Sequence, residues 1–215
     1  MKNVWILNHY AQEPDGLGLT RHYSLARHLL SKDWRASVIA ASVEHNTGRQ
    51  RLSKGELKRI DCLAGVPFLW LRTPQYKGNG VGRMINMLVY TLCVLIPGMT
   101  RGLKRPDIIV GSSVHPFAAA AGAILAWRYR VPFIFEVRDL WPQTLVDFGR
   151  IREESYVTRA LRSLEKWLYK RADRIVVLLP KAADYIVPLG ISKKKIVWIP
   201  MVLSLTGVLN LLGHL

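Results

Sequence analysis

Short apolar runs alternate along the chain with longer stretches in which apolar residues recur every three or four positions. Runs of the first kind fall at residues 4–8, 37–41, 68–72, 107–111, 133–137, 174–179 and 195–199. They are continuous rather than alternating, the pattern of strands covered on both faces. Stretches of the second kind predict helices at about 19–32, 83–103, 115–129, 151–172 and 180–189. In the first of these, Leu19, Tyr23, Ala26, Leu29 and Leu30 mark one apolar face, with Arg21 and Arg27 outside it. The order of elements predicts an α/β fold, a Rossmann-like doubly wound parallel sheet with right-handed crossovers. The polar, glycine-bearing stretch 42–66 reads as a surface loop.

Charge changes the picture more than composition does. Half of the 215 residues are apolar, enough to bury the core of one large domain. Lys and Arg number 31 against 15 Asp and Glu, a net charge of +16 spread along the whole chain. Such a field attracts phosphates, nucleic acid or an anionic membrane surface. The basic residues follow no nucleic-acid motif and no aromatics interleave with them as a stacking platform, so nucleic acid is not the expected partner. Two cysteines, Cys62 and Cys93, without paired spacing argue against a disulfide framework or a zinc site and fit a reducing cytoplasm. The N-terminus lacks the apolar length and small residues of a signal peptide and reads as the first buried strand.

Residues 84–100 carry no charge and are flanked by Arg83 and Arg101. A spanning helix needs about 20 apolar residues, and Asn86, Thr91 and the Pro97-Gly98 break count against one. Two readings stay open: a buried helix, or a helix lying in a membrane interface with Lys77, Arg83, Arg101, Lys104 and Arg105 on headgroups.

Candidate chemistry gathers where apolar runs end. Asp15-Gly16-Leu17-Gly18 precedes the first helix, where glycines admit backbone amides to a ligand and the helix terminus favours negative charge. The spacing departs from the dinucleotide fingerprint, because Arg21 occupies the third glycine position, and this disfavours a dinucleotide oxidoreductase. His115 lies at a strand-to-helix junction, placed to donate to a phosphate or sugar hydroxyl or to shuttle a proton. Residues 133–142, FIFEVRDLWP, end an apolar strand in Glu136, Arg138, Asp139 and Trp141. Ligands of open α/β sheets bind at such strand ends. The alternation places Glu136 and Arg138 on one face and Asp139 on the other. The helix at 151–172 has a basic face that suits either solvent or a membrane surface.

Several segments are similar, in order, to the N-terminal domain of family 4 glycosyltransferases: HYAQEPDGLGLTRHYSLARHL, SSVHPFAAAAGA, FIFEVRDLWPQ, LEKWLYKRADRIVVLLP and KIVWIP. The resemblance is nearest to bacterial fucosamine-transferase-like enzymes that build O-antigen or capsule repeat units. It implies that residues 1–200 are the acceptor-side half of a GT-B fold, two Rossmann-like domains facing across a cleft. It implies a retaining transfer from a nucleotide-sugar, which is substrate rather than cofactor, to a lipid-linked acceptor. No metal is implied, since positive side chains and helix dipoles stabilise the leaving diphosphate. Carried over by position, Gly16 and Gly18 lie near the donor diphosphate and His115 at the transferred sugar or acceptor. Glu136 and Arg138 lie on the substrate side, with Asp139 as general base at the acceptor hydroxyl. The implied location is cytoplasmic, peripheral on the anionic inner membrane surface.

Beyond Pro200 the resemblance implies a continuation Asn-Gly-Val-Asp and a donor-binding second domain carrying paired glutamates. Here residues 201–215 read MVLSLTGVLNLLGHL. A frameshift at an Asn-Gly-Val coding stretch yields Met-Val followed by Leu or Phe, so this tail is expected to be out-of-frame translation. The chain alone is then expected to be inactive. The alternatives are a non-catalytic membrane-associated binding module and one half of a split transferase.

Overall fold

All seven apolar runs form strands in the computed structural model, which describes residues 1–13 and 20–200. The strands are β1 (Lys2–Leu7), β2 (Trp34–Ala41), β3 (Lys58–Leu63), β4 (Val66–Leu71), β5 (Ile108–Ser112), β6 (Phe133–Val137), β7 (Arg174–Val177) and β8 (Ile196–Trp198). They make one sheet in the order β3-β4-β2-β1-β5-β6-β7-β8. Every pairing is parallel except that of β3 with β4. From β1 the chain builds outward through β2 and β4 on one side, then returns to β1's other side with β5. The strand order therefore reverses between β1 and β5.

The stretch 42–66 is not simply a loop, because β3 occupies its end. Its sequence KRIDCL hides the strand because β3 is an edge whose residues are all half-buried or exposed. Such a strand needs no apolar run. Its register is pinned from the side, where Trp70 Nε1–H donates to Asp61 Oδ2 at 2.8 Å.

The helices are α1 (Arg21–Leu30), α2 (Val81–Leu95), α3 (Pro116–Tyr129), α4 (Gln143–Asp147), α5 (Tyr156–Arg171) and α6 (Ala182–Ile186). The stretch expected to stay helical to 103 stops at Leu95. Proline excludes the helical region for its predecessor, and Ile96, before Pro97, is extended at φ −65° and ψ 125°. The short α4, after the cis Trp141–Pro142 bond, had no periodic signal. Two cores flank the sheet, one under α2, α3, α5 and α6, the other under α1. The alanine-rich α3 lies unusually close to β5. A Cβ on Gly111 would stand 3.0 Å from Ala119 Cα, and one on Gly122 only 3.3 Å from Gly111 Cα. That approach fixes the start of α3, and with it His115, at the end of β5. Among the described residues no helix is long and apolar enough to cross a membrane.

Candidate active site at the reversal of strand order

The crevice outside the carboxyl ends of the strands, at the reversal point, is where open α/β sheets hold ligands. Here the reversal is occupied by two histidines, His9 just beyond β1 and His115 just beyond β5. Nδ1 of His9 and Nε2 of His115 are 2.6 Å apart, and Nε2 of His9 is 2.6 Å from Asn86 Oδ1. The donors follow from the ends of the chain of bonds. Ala118 N–H donates to His115 Nδ1 at 3.2 Å, capping α3, so the His115 proton is on Nε2 and points at His9. His9 then carries its proton on Nε2 and donates to Asn86, whose Nδ2 donates to the Pro74 carbonyl at 2.7 Å. One directional relay thus joins the loops after β1, β4 and β5 to helix α2. Both imidazoles are buried and neutral: burial, aided by the nearby Arg83, brings His115 down to about 3. Burial and then His115 hold His9 well below the ordinary value.

A second buried network lies beside the first. Glu136, at the end of β6, accepts from Arg21 Nε at 3.1 Å and from His22 Nε2 at 2.7 Å. Tyr10 N–H donates to Asn8 Oδ1 and Asn8 Nδ2 donates to His22 Nδ1, which leaves the His22 proton on the nitrogen facing Glu136. Burial alone would raise the Glu136 carboxyl, yet the His22 ring and Arg21 guanidinium hold it far below the usual range. Arg21 also donates to the carbonyl of Pro200 at 2.7 Å. The network therefore ties α1, β6 and the chain beyond β8 together under the crevice.

Above these networks opens a cleft of about 760 Å³, lined by 45–48 after β2 and 75–79 after β4. His45 stacks on Tyr10 with ring centres 4.3 Å apart, and His45 Nδ1 lies 2.8 Å from the Tyr76 hydroxyl. Arg83 Nε–H donates to the Tyr10 hydroxyl at 2.8 Å, closing the wall towards α2. Aromatic faces beside Asn46, Gln75 and Asn79 amides suit a polyhydroxylated ligand better than an apolar one.

The structure separates the residues expected to act together. His115 is fully buried with both ring nitrogens engaged, and Glu136 is buried beneath the crevice, paired with Arg21 and His22 rather than with Arg138. Arg138 is half-buried, its backbone N–H donating to Ser113 Oγ at 3.0 Å. Asp139 is exposed, its side chain making no hydrogen bond to the described residues, and partial desolvation pushes its carboxyl up against the pull of Arg138. Gly16 and Gly18 lie outside the described residues. Arg21, expected to point away from the core, is buried against Glu136. His9, Asn86, His22, His45 and Tyr76 were missed. For His9 a signal was present, since it and Tyr10 end the first apolar run as His115 ends another.

The glycosyl transferase 4-like domain family matches residues 14–201 of this chain, nearly the whole sheet. The chain belongs to this glycosyltransferase family. A stretch of 80 residues is 26% identical to the probable glycosyltransferase WbjE of Pseudomonas aeruginosa, covering 37% of this chain and 20% of that protein. The chain thus spans about a fifth of that relative's length. Among solved structures, a sucrose-phosphate synthase chain from Thermosynechococcus elongatus superposes with a TM-score of 0.60 at 10% identity, over 100% of this chain and 96% of that one. A UDP-N-acetylglucosamine 2-epimerase gives 0.54 at 12% identity, over 92% of this chain and 48% of that one. At such identities the likeness is one of fold. In this glycosyltransferase 4-like domain the matched residues take in β2 to β8, with β1 and His9 just before them.

Proposed function

We propose that this domain is the acceptor side of a retaining, metal-independent glycosyltransferase that moves a sugar from a nucleotide-sugar to a lipid-linked glycan at the inner membrane surface. The O-antigen or capsule setting and the fucosamine-transferase-like subgroup rest on the resemblance of the motifs. The observation that carries the reading is the cleft beyond the ends of β2 and β4, lined by Tyr76 and by His45 with Tyr10 stacked on it, in a chain of the glycosyltransferase 4-like family. The sugar lies against the aromatic faces while side-chain amides take its hydroxyls. Asp139, beyond the end of β6 on the same side of the sheet, is an exposed carboxylate that partial desolvation raises against the pull of Arg138, and it is the group assigned to accept the acceptor's proton. His115 works from below: its Nε2–H is committed to His9, so it shapes the floor, and reaching a hydroxyl requires exchange of that bond. Glu136 likewise acts by holding Arg21 and His22. Gly16 and Gly18 are assigned to the donor diphosphate. Transfer needs a donor-binding domain, in the same polypeptide or a separate one, and the described residues alone are inactive in this reading. The outward face of α2, with Val81, Ile85, Leu88 and Leu92 exposed, supports a membrane-bound acceptor.

The test has two arms. Calorimetric titration with a short-chain lipid diphosphate sugar is expected to show binding to the chain, weakened at least tenfold by Tyr76→Ala. Transfer assays with a donor-binding domain supplied are expected to show Asp139→Asn losing about 10²–10⁴ in rate with acceptor affinity kept. Undiminished transfer by that variant removes Asp139 from the chemistry. Binding without transfer under any arrangement favours the non-catalytic binding module instead.

A further inference from the structure

The amino ends of the strands, opposite the cleft, hold a second cavity, of about 610 Å³, between the ends of α3 and α5 and the start of β6. Arg128, Arg130 and Arg171 line it, and among the described residues none of the three is paired with a carboxylate. The carboxylate in the lining, Asp173, accepts from Phe133 N–H at 2.8 Å and offers the guanidinium groups little compensation. Three like charges converging on one concavity repel one another unless an anion joins them. Trp127, 68% exposed, forms the rim.

Two further observations say what the anion belongs to. Helix α2 presents an outward stripe of Val81, Ile85, Leu88 and Leu92, 76%, 49%, 42% and 62% exposed, although its other face packs on the core. Water is a poor solvent for such a stripe, and a bilayer interface is a good one. The stripe's far end also abuts the cavity, since Arg128 Nη1 donates to the carbonyl of Leu95 at 3.0 Å. A basic pocket, an interfacial tryptophan and an apolar helix face are thus continuous, the combination that anionic lipid complements.

We infer that Arg128, Arg130 and Arg171 form a binding pocket for the phosphate of an anionic lipid headgroup, which anchors α2 flat on the bilayer. The inference rests on the membrane-acceptor reading and adds where the surface engages. Helix α2 begins directly after Lys77–Asn79 of the cleft and runs about 22 Å to the pocket at 1.5 Å per residue. Anchoring its far end lays the stripe along the interface and brings the cleft mouth to headgroup level. There the diphosphate of a lipid-linked acceptor is within reach without leaving its leaflet.

Vesicle flotation of the full chain tests this, with phosphatidylglycerol–phosphatidylcholine vesicles against phosphatidylcholine alone. Binding is expected only to the anionic vesicles and is expected to weaken with salt. Each of Arg128→Gln, Arg130→Gln and Arg171→Gln should cost about fivefold, and the triple variant roughly 100-fold. Trp127→Ala, a change at a mostly exposed side chain, should lower binding without altering the thermal transition, which guards against a triple variant that fails to fold. Equal binding to neutral vesicles, or a folded triple variant that floats like the parent, overturns the proposal. Full competition by soluble glycerol phosphate at millimolar concentration also overturns it, reassigning the pocket to a free phosphate ester. The cleft variant Tyr76→Ala should float normally, so loss of the acceptor reading and loss of the docking pocket are read separately.

Discussion

Nε2 of His115 stands 2.6 Å from Nδ1 of His9, and this bond spans the reversal of strand order in the sheet. It belongs to a relay whose members all donate in one direction, from the N-terminus of α3 to the Pro74 carbonyl. A relay of that kind fixes tautomers as well as positions, because turning any one ring leaves two buried polar atoms facing each other wrongly. The crevice floor is therefore rigid before any substrate arrives.

Replacing His9 by phenylalanine keeps the ring volume and removes both bonds. His115 Nε2–H and Asn86 Oδ1 then lose their partners in a dry site, each costing about 1–3 kcal/mol. The expected loss, about 2–5 kcal/mol, is measured by urea unfolding at pH 7.5. A loss below about 0.5 kcal/mol would mean that water or a shifted loop replaces the relay.

Stability should also depend on pH through these rings. The folded chain holds His115 at about 3 and His9 well below its ordinary value, whereas the unfolded chain protonates both near 6.5. Their contribution is complete above about pH 6.5 and is lost as pH falls towards the folded values. Between pH 7.5 and 5 His115 should cost about 2 kcal/mol, and His9 adds to the loss in the same direction. The buried Glu165 carboxyl, raised by desolvation, opposes this slope, so the measurement is a difference: His115→Asn should lose about 2 kcal/mol less than the parent over that interval. Parallel pH profiles for the two proteins would show that His115 is not held neutral.

The Glu136 network makes a third expectation. Its carboxylate joins Arg21 and His22 with side-chain exposures of 4%, 4% and 1%, deep enough that water cannot substitute. Glu136→Gln removes the charge that compensates Arg21 and leaves a buried guanidinium, a change that typically costs about 3–5 kcal/mol. The double variant Glu136→Gln with Arg21→Met should recover part of that loss. If the single variant unfolds at the parental urea midpoint, the pair is not structural.

Most of the sheet was legible in the sequence because a strand buried on both faces must be apolar throughout. The sequence pattern located six such strands and the half-buried edge strand β8, while β3, an edge in which Arg59 and Asp61 are half-buried, carried no comparable signal. The site was legible only in part. His115 and Glu136 end apolar runs and so stood out, but their partners His9, Asn86, Arg21 and His22 come from other elements. Spacing along the chain cannot tell that residues 106 and 114 positions apart are bonded. Arg21 misled for a physical reason: its place on α1 reads as polar surface until Glu136 supplies a charge beneath it.

Glu165 provides the last expectation. It is buried on α5 and accepts from the Tyr169 and Tyr185 hydroxyls, each at 3.1 Å. Burial pushes its carboxyl up to about 7 against the pull of both tyrosines and of Arg162. A carboxyl raised from 4.5 in this way contributes fully below about pH 4.5, and the contribution is lost as pH rises through 7. Glutamine imitates the protonated acid at every pH, so Glu165→Gln should match the parent near pH 5. At pH 8 it should exceed the parent by roughly 2 kcal/mol. The same network reaches the site, because Arg162 donates to both Tyr185 and Gln143, and Gln143 opens α4 directly after the Asp139 loop. Urea unfolding at the two pH values decides the matter. A variant whose advantage does not grow between pH 5 and pH 8 would show that Glu165 is ionised throughout and that a cation or water reaches it.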